Sequence, residues 1–384
     1  MDDARNPFDP FAAHPALFVG RAGDLAAADD AVTTLAAGGA AAPVLLAGRT
    51  GVGTSAVLRS LGACADRHDW HAGVATARPD EPLREAVGRA FARALTSFAA
   101  RRPGAVGVRS AADAVVAFAP RAAAELPVVA DPGHFDEARG DLARDLRRLL
   151  ARTGDALRDL VGRGFLVAVD DLHAADPADA VALLGTASEA MRDGMPVALV
   201  AAGTPTVRWF AADAGASDGL REVRPLDLAA TTELLRTAAA RAGGGIDDRA
   251  IETIAGATAG YPQLVLLYAQ AAWREAGGPI ITADDVAAGA GDARRQLAEA
   301  VLAPAFALDA ASRRYLRAVA EAGDLADSAL LARRLGDTTR FGNGASQLTE
   351  LRDALVRRGL LSNVDGTHLA FAHPAARSYV LSWH

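Results

Sequence analysis

The sequence predicts an α/β fold: a parallel sheet with helices on both faces, then an all-helical segment, then a small C-terminal unit of helices and a hairpin. Three observations carry this. Val44 to Ala47 and Phe165 to Val169 are short, wholly apolar runs bounded by turn residues, the signature of strands buried on both faces. Helical patterns separate the apolar runs, the alternation a parallel sheet requires. The first run leads into a glycine-rich loop and the second into paired acids, so both end in residues suited to chemistry.

The elements follow in order. Residues 1–20 are punctuated by Pro and Phe and end in Phe18-Val19-Gly20-Arg21. A helical pattern runs from Asp24 to Leu35. After the glycine loop a helix reaches about Ala65, and His71 to Ala77 reads as the next strand, closed by a turn at Pro79 and Pro82. Residues 84–160 are mostly helical. The arginine-rich stretch Asp141 to Arg163 has alternating charge signs and reads as a solvated amphipathic face. Asp176-Pro177 opens a helix as cap and first residue. Pro196 to Ala202 and a short stretch near Arg221 to Val223 complete the strands. From Leu228 to Gly291 the pattern is helical throughout. From about Ala305 come three short helices and then Leu360 to Phe371, with the hairpin signal Asp365-Gly366, which together predict a winged helix-turn-helix. The expected domains are 1–225, 226–304 and 305–384.

The chain's 384 residues allow two or three domains at roughly 100–200 residues each. A hydrophobic content of 51% supports a core and excludes general disorder. A net charge of −7, from 40 basic and 47 acidic side chains, argues against a whole-surface binder of nucleic acid or membrane. All the basic residues are arginine. The single cysteine, Cys64, supports no disulfide framework and suits a reducing compartment. Met1 to Pro7 has neither a basic nor an apolar leader region, and no apolar run approaches the roughly 20 residues a bilayer needs, so a cytoplasmic protein is expected.

Gly48-Arg49-Thr50-Gly51-Val52-Gly53-Thr54-Ser55 matches the phosphate-loop pattern at every position but one. The glycines let backbone N–H groups curl around phosphates, and the helix N-terminus adds a favourable dipole. Position 54, where lysine reaches the β/γ-phosphates, is threonine. The bias from lysine to arginine does not account for threonine. A lost charge-assisted contact is worth about 1.5–3 kcal/mol, or about tenfold to a hundredfold in affinity. Phosphoryl transfer relies on positioning and charge stabilisation, so hydrolysis is expected to suffer more than binding. The alternative is a glycine-rich strand-to-helix turn that holds no ligand.

Asp170 and Asp171 end the second buried run. In a phosphate-loop ATPase the first acid holds Mg²⁺, with Ser55, and the second orients the attacking water. The two buried runs are expected side by side, with Ser55 and Asp170 facing each other across a crevice at the carboxyl ends of the strands.

Together with these motifs, Phe18-Val19-Gly20-Arg21, the stretch Asp170-Asp171-Leu172-His173-Ala174-Ala175-Asp176-Pro177 and Gly260-Tyr261-Pro262 resemble the AAA+ ATPases of the Orc1/Cdc6-like and STAND signalling type. The layout is more closely similar to an actinobacterial family of ATP-binding proteins with a C-terminal winged helix. Asn6-Pro7-Phe8, Ala77 to Leu83, Ala202-Gly203-Thr204-Pro205, Ile281 to Val286 and Arg314 to Ala318 carry that likeness. The resemblance implies a P-loop NTPase sheet, a helical lid and a winged helix, binding ATP or ADP with Mg²⁺. It implies that Val19, Gly20 and Arg21 contact the adenosine. Gly48, Thr50, Gly51, Val52, Gly53, Thr54 and Ser55 would cradle the phosphates. Thr204 would lie near the sensor position, and Tyr261 and Pro262 would approach the base. The lysine is missing, and Asp-Asp stands where the actinobacterial family has Asp-Glu.

The tail, 305–384, carries a net charge of +2 against −9 for the rest. Its expected recognition helix, Gln347 to Gly359, mixes Arg352, Arg357 and Arg358 with Glu350 and Asp353, a weak basic face for DNA. Cys64, His68 and His71 have metal-like spacing without a fourth ligand. His368 and His373 read as ordinary histidines flanking a strand. The reading is a nucleotide-responsive switch or assembly module with weak or no hydrolysis. A protein partner is expected and DNA is possible through the winged helix. A pseudo-ATPase scaffold without nucleotide and a winged-helix DNA-binding regulator are the alternatives.

Overall fold

The computed structural model describes residues 6–11, 18–102, 107–128, 141–157, 163–336 and 344–383. Five parallel strands form the main sheet: β1 (Val44–Ala47), β2 (His71–Thr76), β3 (Phe165–Asp170), β4 (Val197–Gly203) and β5 (Leu220–Glu222), in the order β2-β3-β4-β1-β5. Every residue of β1, β3 and β4 is buried, as continuous apolar runs predict for strands covered on both sides. Helix Thr54–Arg67 packs on β2, β3 and β4, helix Leu83–Arg101 on β2 and β3, helix Ala22–Ala36 on β1 and β4, and helix Pro177–Arg192 on β4. The Asp176 carboxylate caps that last helix by accepting from the Ala178 N–H, with Pro177 as its first residue.

The expected pairing of the two apolar runs is wrong. β4 lies between them: Val44 is in register with Val200 of β4, and Val200 with Ala168 of β3. The apolar pattern says that a strand is buried on both faces, but every central strand satisfies it equally, so the pattern carries no neighbour information. Of the arginine-rich stretch Asp141 to Arg163, helix Leu142–Leu157 is described and residues 158–162 lie outside the described residues.

The helical segment holds four main helices, Leu228–Arg241, Asp248–Thr258, Pro262–Glu275 and Ala283–Leu297. Its own apolar core includes Leu235, Ile251, Val265 and Trp273, and Phe8 joins it edge-on to Trp273, ring centroids 6.1 Å apart. The segment is not wholly helical. A two-residue parallel pair, β6 (Gly245–Ile246) and β7 (Ile280–Ile281), ties its loops together, too short to leave a periodic signal.

The tail contains helices Ala310–Ala322, Ser328–Gly336 and Gly344–Arg357, then a hairpin of β9 (Leu361–Asn363) and β10 (His368–Phe371). β8 (Ala326–Asp327), between the first two helices, completes an antiparallel sheet in the order β8-β10-β9. In the turn, the Asp365 carboxylate accepts the Thr367 and His368 N–H groups at 3.0 and 2.7 Å, and those bonds hold it well below the usual carboxylate range. Helix Ala376–Leu381 closes the chain. Among the described residues no helix is long and apolar enough to cross a membrane.

Candidate nucleotide site

β1 delivers the chain into the glycine loop, and the Gly48 N–H donates to the Gly203 carbonyl at 3.0 Å, fixing the exit of β1 against the end of β4. Gly51 and Gly53 have φ of 85° and 102°, which side-chain-bearing residues adopt only under strain. Helix Thr54–Arg67 starts directly behind. The amides of Gly53, Thr54 and Ser55 have no intrahelical acceptor and sit at the positive end of the helix dipole.

β3 delivers Asp170, 8% exposed, beside Ser55. The Asp170 carboxylate accepts the Asp171 N–H at 3.0 Å, and the Ser55 side chain lies close enough to favour its charged form. Burial, and then the neighbouring Asp171 carboxylate, push Asp170 above the ordinary carboxyl range. The expected meeting of Ser55 and Asp170 therefore holds, although their parent strands are not adjacent. A hydroxyl and a carboxylate form a hard-oxygen donor set of the kind Mg²⁺ selects, so these residues fit that ion. Asp171, at φ 52°, keeps a half-exposed side chain, its carboxylate 4.0 Å from His173 Nδ1.

Arg21 braces the loop from behind. It is 7% exposed, and its guanidinium donates to the Val52 carbonyl at 2.5 Å and to the Arg224 carbonyl at 2.8 Å. The lid meets the loop through Pro262, whose ring lies 3.9 Å from where a Cβ on Gly53 would be, and through Gln263, whose N–H donates to the Gly51 carbonyl at 3.3 Å. Gly260, at φ 71°, lets the lid turn back on the sheet domain: a Cβ there would lie 2.0 Å from the Leu226 carbonyl. The Leu226 N–H donates to the Gly260 carbonyl at 2.8 Å.

Between these elements lies a cleft of about 360 Å³, a volume typical of small-molecule sites. Val19, Arg21, Thr50, Gly51, Gly53, Thr54, Ser55 and Pro262 line it, with Phe18, Arg59, Gln263 and Leu266. Other predicted contacts fall elsewhere. Gly20 is turned against Leu226 and Ala230. Val52 is buried, and Gly48, Val52 and Tyr261 line a separate crevice on the far side of the loop. Thr204 is buried with its hydroxyl unpartnered among the described residues. In each case the motif locates the backbone segment, while the residue itself does not line the cleft.

Two histidines were missed. His173 is buried, and its Nδ1 accepts the Thr204 N–H at 3.3 Å. Its Nε2 faces Gly359, where a Cβ would lie 2.6 Å away. His373, expected as a surface or satisfied histidine, is buried and satisfied between the phosphate loop, Gln263 and the tail. Its Nδ1 accepts the Ala375 N–H at 3.1 Å, and its Nε2 faces Gln263 Oε1 at 3.3 Å. Burial pushes His173 down to about 4, and burial with nearby Arg49 pushes His373 down to about 4, so both are neutral at pH 7. The preceding residues bind the loop too: the Ala372 carbonyl accepts the Thr50 N–H, and the Phe371 carbonyl accepts Arg49, each at 2.9 Å. The one available signal was Ala372-His373-Pro374 at the exit of a buried strand. Cys64 and His68 both meet Asp29, and His71 turns onto Ser97.

Residues 17–200 match the family model described as the AAA ATPase domain. The fold is similar to that of a walker-type ATPase of Pyrococcus abyssi, at 15% identity over 98% of this chain and 99% of that one, with a TM-score of 0.58. Orc1 of Aeropyrum pernix, solved in complex with DNA, aligns at 16% identity over 98% and 96%, with a TM-score of 0.49. Cdc6p of Pyrobaculum aerophilum aligns at 17% over 99% and 98%, with a TM-score of 0.45. No curated protein matches the sequence. The sheet order and the loop, with the match of residues 17–200 to the AAA ATPase domain, define the fold as that of a P-loop NTPase.

Proposed function

We propose that the protein is a nucleotide-responsive switch or assembly module that binds ATP or ADP with Mg²⁺ and hydrolyses ATP weakly or not at all. The observation that carries this reading is that the cleft is open although position 54 has lost its lysine. A loop freed from binding nucleotide is under no constraint to keep two left-handed glycines, a free helix N-terminus and a Ser55 that lines the cavity with Asp170 close behind it. In this reading the loop amides hold the phosphates, and Val19, Arg21 and Pro262 border the adenosine. Mg²⁺, held by Ser55 and Asp170, supplies charge neutralisation at the phosphates. Asp171, half exposed beside Asp170, orients water for whatever turnover survives. Thr54 can donate one hydrogen bond but brings no charge, which favours binding over catalysis.

We read residues 1–225, 226–304 and 305–384 as nucleotide-binding domain, lid and winged helix. The tail's third helix, the recognition helix of that reading, contacts the short turn that holds His173, and Arg352 pairs with Asp353 at 2.8 Å. Those contacts favour a tail that works against the nucleotide domain, or a protein partner, over one that reads DNA. Calorimetric titration with ATP and ADP, with and without Mg²⁺, tests the proposal. Mg²⁺-dependent binding without measurable phosphate release is expected. No heat at millimolar nucleotide overturns it in favour of a scaffold.

A further inference from the structure

The far side of the phosphate loop holds a second cavity, about 580 Å³, between the exit of β1, the end of β5 and the β9–β10 hairpin. Four arginines line it, Arg49, Arg208, Arg224 and Arg377, against two carboxylates, Glu222 and Asp324. Those carboxylates are already engaged. Glu222 is shared by Arg208 at 3.3 Å and Arg224 at 3.2 Å, and Asp324 lies 3.7 Å from Arg377. Among the described residues Arg49 reaches no carboxylate, and it donates to the Phe371 carbonyl.

Three buried polar atoms on the wall have no partner among the described residues: Arg49 Nε, Arg208 Nε and the hydroxyl of Ser362, a residue only 2% exposed. An unmet buried donor costs about 1–3 kcal/mol, and the residues that carry these three atoms all line this one cavity. Guanidinium forks match the tetrahedral oxygens of a phosphate, and an excess of positive charge in a walled crevice concentrates anions. The rest of the wall is apolar, with Val223, Tyr261 and Phe371, which fits a ligand carrying a body as well as a charge.

We infer that this crevice binds a small organic phosphate, at a site separate from the nucleotide cleft. Arg49 belongs to the phosphate loop and Ser362 to the tail, so the ligand bridges the two units from the side opposite Thr54.

Calorimetry with glucose 6-phosphate and with inorganic phosphate, both without Mg²⁺, tests the inference. The sugar phosphate should bind, and inorganic phosphate more weakly. Arg208→Gln with Arg377→Gln should weaken sugar phosphate binding by about tenfold or more. Ser362→Ala should weaken it by about threefold to tenfold while leaving the melting temperature unchanged or higher, because it removes an unmet hydroxyl. Thr54→Glu puts a like charge in the nucleotide cleft; it should abolish ATP–Mg²⁺ binding and leave the sugar phosphate bound. Binding lost in Thr54→Glu but kept in the arginine and Ser362→Ala variants overturns the inference, as does no binding to wild type at millimolar concentration. Loss of ATP binding alone bears on the nucleotide proposal and not on this site.

Discussion

The amino-terminal half of the phosphate loop and its carboxyl-terminal half differ in what satisfies them. From Gly48 to Gly51 the backbone is bonded to the protein: Gly48 to Gly203, Thr50 to Ala372, and Gly51 to Gln263. From Gly53 to Ser55 the amides open a helix and face a cavity. Sheet, tail and lid thus all grip the first half, while the second half faces the cleft. In such an arrangement, loss of one charged residue weakens binding without dismantling the loop, because the loop's shape depends on its protein contacts.

Removing a brace should have the largest effect of any single substitution. Arg21→Ala takes away two bonds from a buried guanidinium and leaves the Val52 and Arg224 carbonyls unmet. A loss of about 3 kcal/mol in stability is expected, read from chemical denaturation. A change within about 0.5 kcal/mol would mean that the loop holds its shape without this brace.

Acid should act next, on the grip of the tail. His173 and His373 are lowered to about 4 in the folded protein against about 6.5 when unfolded. The unfolded state therefore binds more protons between these values. The stability the two residues contribute is fully present above pH 6.5 and falls as pH drops towards 4, by up to about 3 kcal/mol for each. Asp170, raised by burial, acts with the opposite sign and offsets part of the loss. Melting temperature against pH should fall across this window, and His373→Gln should flatten the slope. An unchanged slope would remove His373 from the junction's energetics.

How far the sequence revealed this arrangement depended on the range of each signal. The buried strands, the glycine loop, the acidic strand end and the Asp365-Gly366 hairpin are local patterns, and they were legible. The order of the strands was not, because β1, β3 and β4 share one apolar signature. Nor was the role of Ala372-His373, since contacts from a residue over 300 positions away leave no mark on the loop's own sequence. Tyr261 and Thr204 show the intermediate case: their neighbours Pro262 and Gly203 meet the phosphate loop, while neither of these two residues lines the cleft.

The smallest effect sets a baseline remote from the loop. Asp176→Ala removes only the cap of the helix after the acidic strand end, and should cost about 1 kcal/mol without changing nucleotide affinity. A change in affinity would mean that this cap, too, supports the cleft.

The central claim, that the open half of the loop still holds phosphate and lacks only a charge, is tested most directly at position 54. ATP–Mg²⁺ is titrated into wild type and Thr54→Lys, and both melting temperatures are measured. The account predicts binding in both, tighter by about tenfold to a hundredfold in the variant, with unaltered stability and measurable hydrolysis. A variant that melts lower and binds no nucleotide, its new lysine buried without a partner, would contradict it.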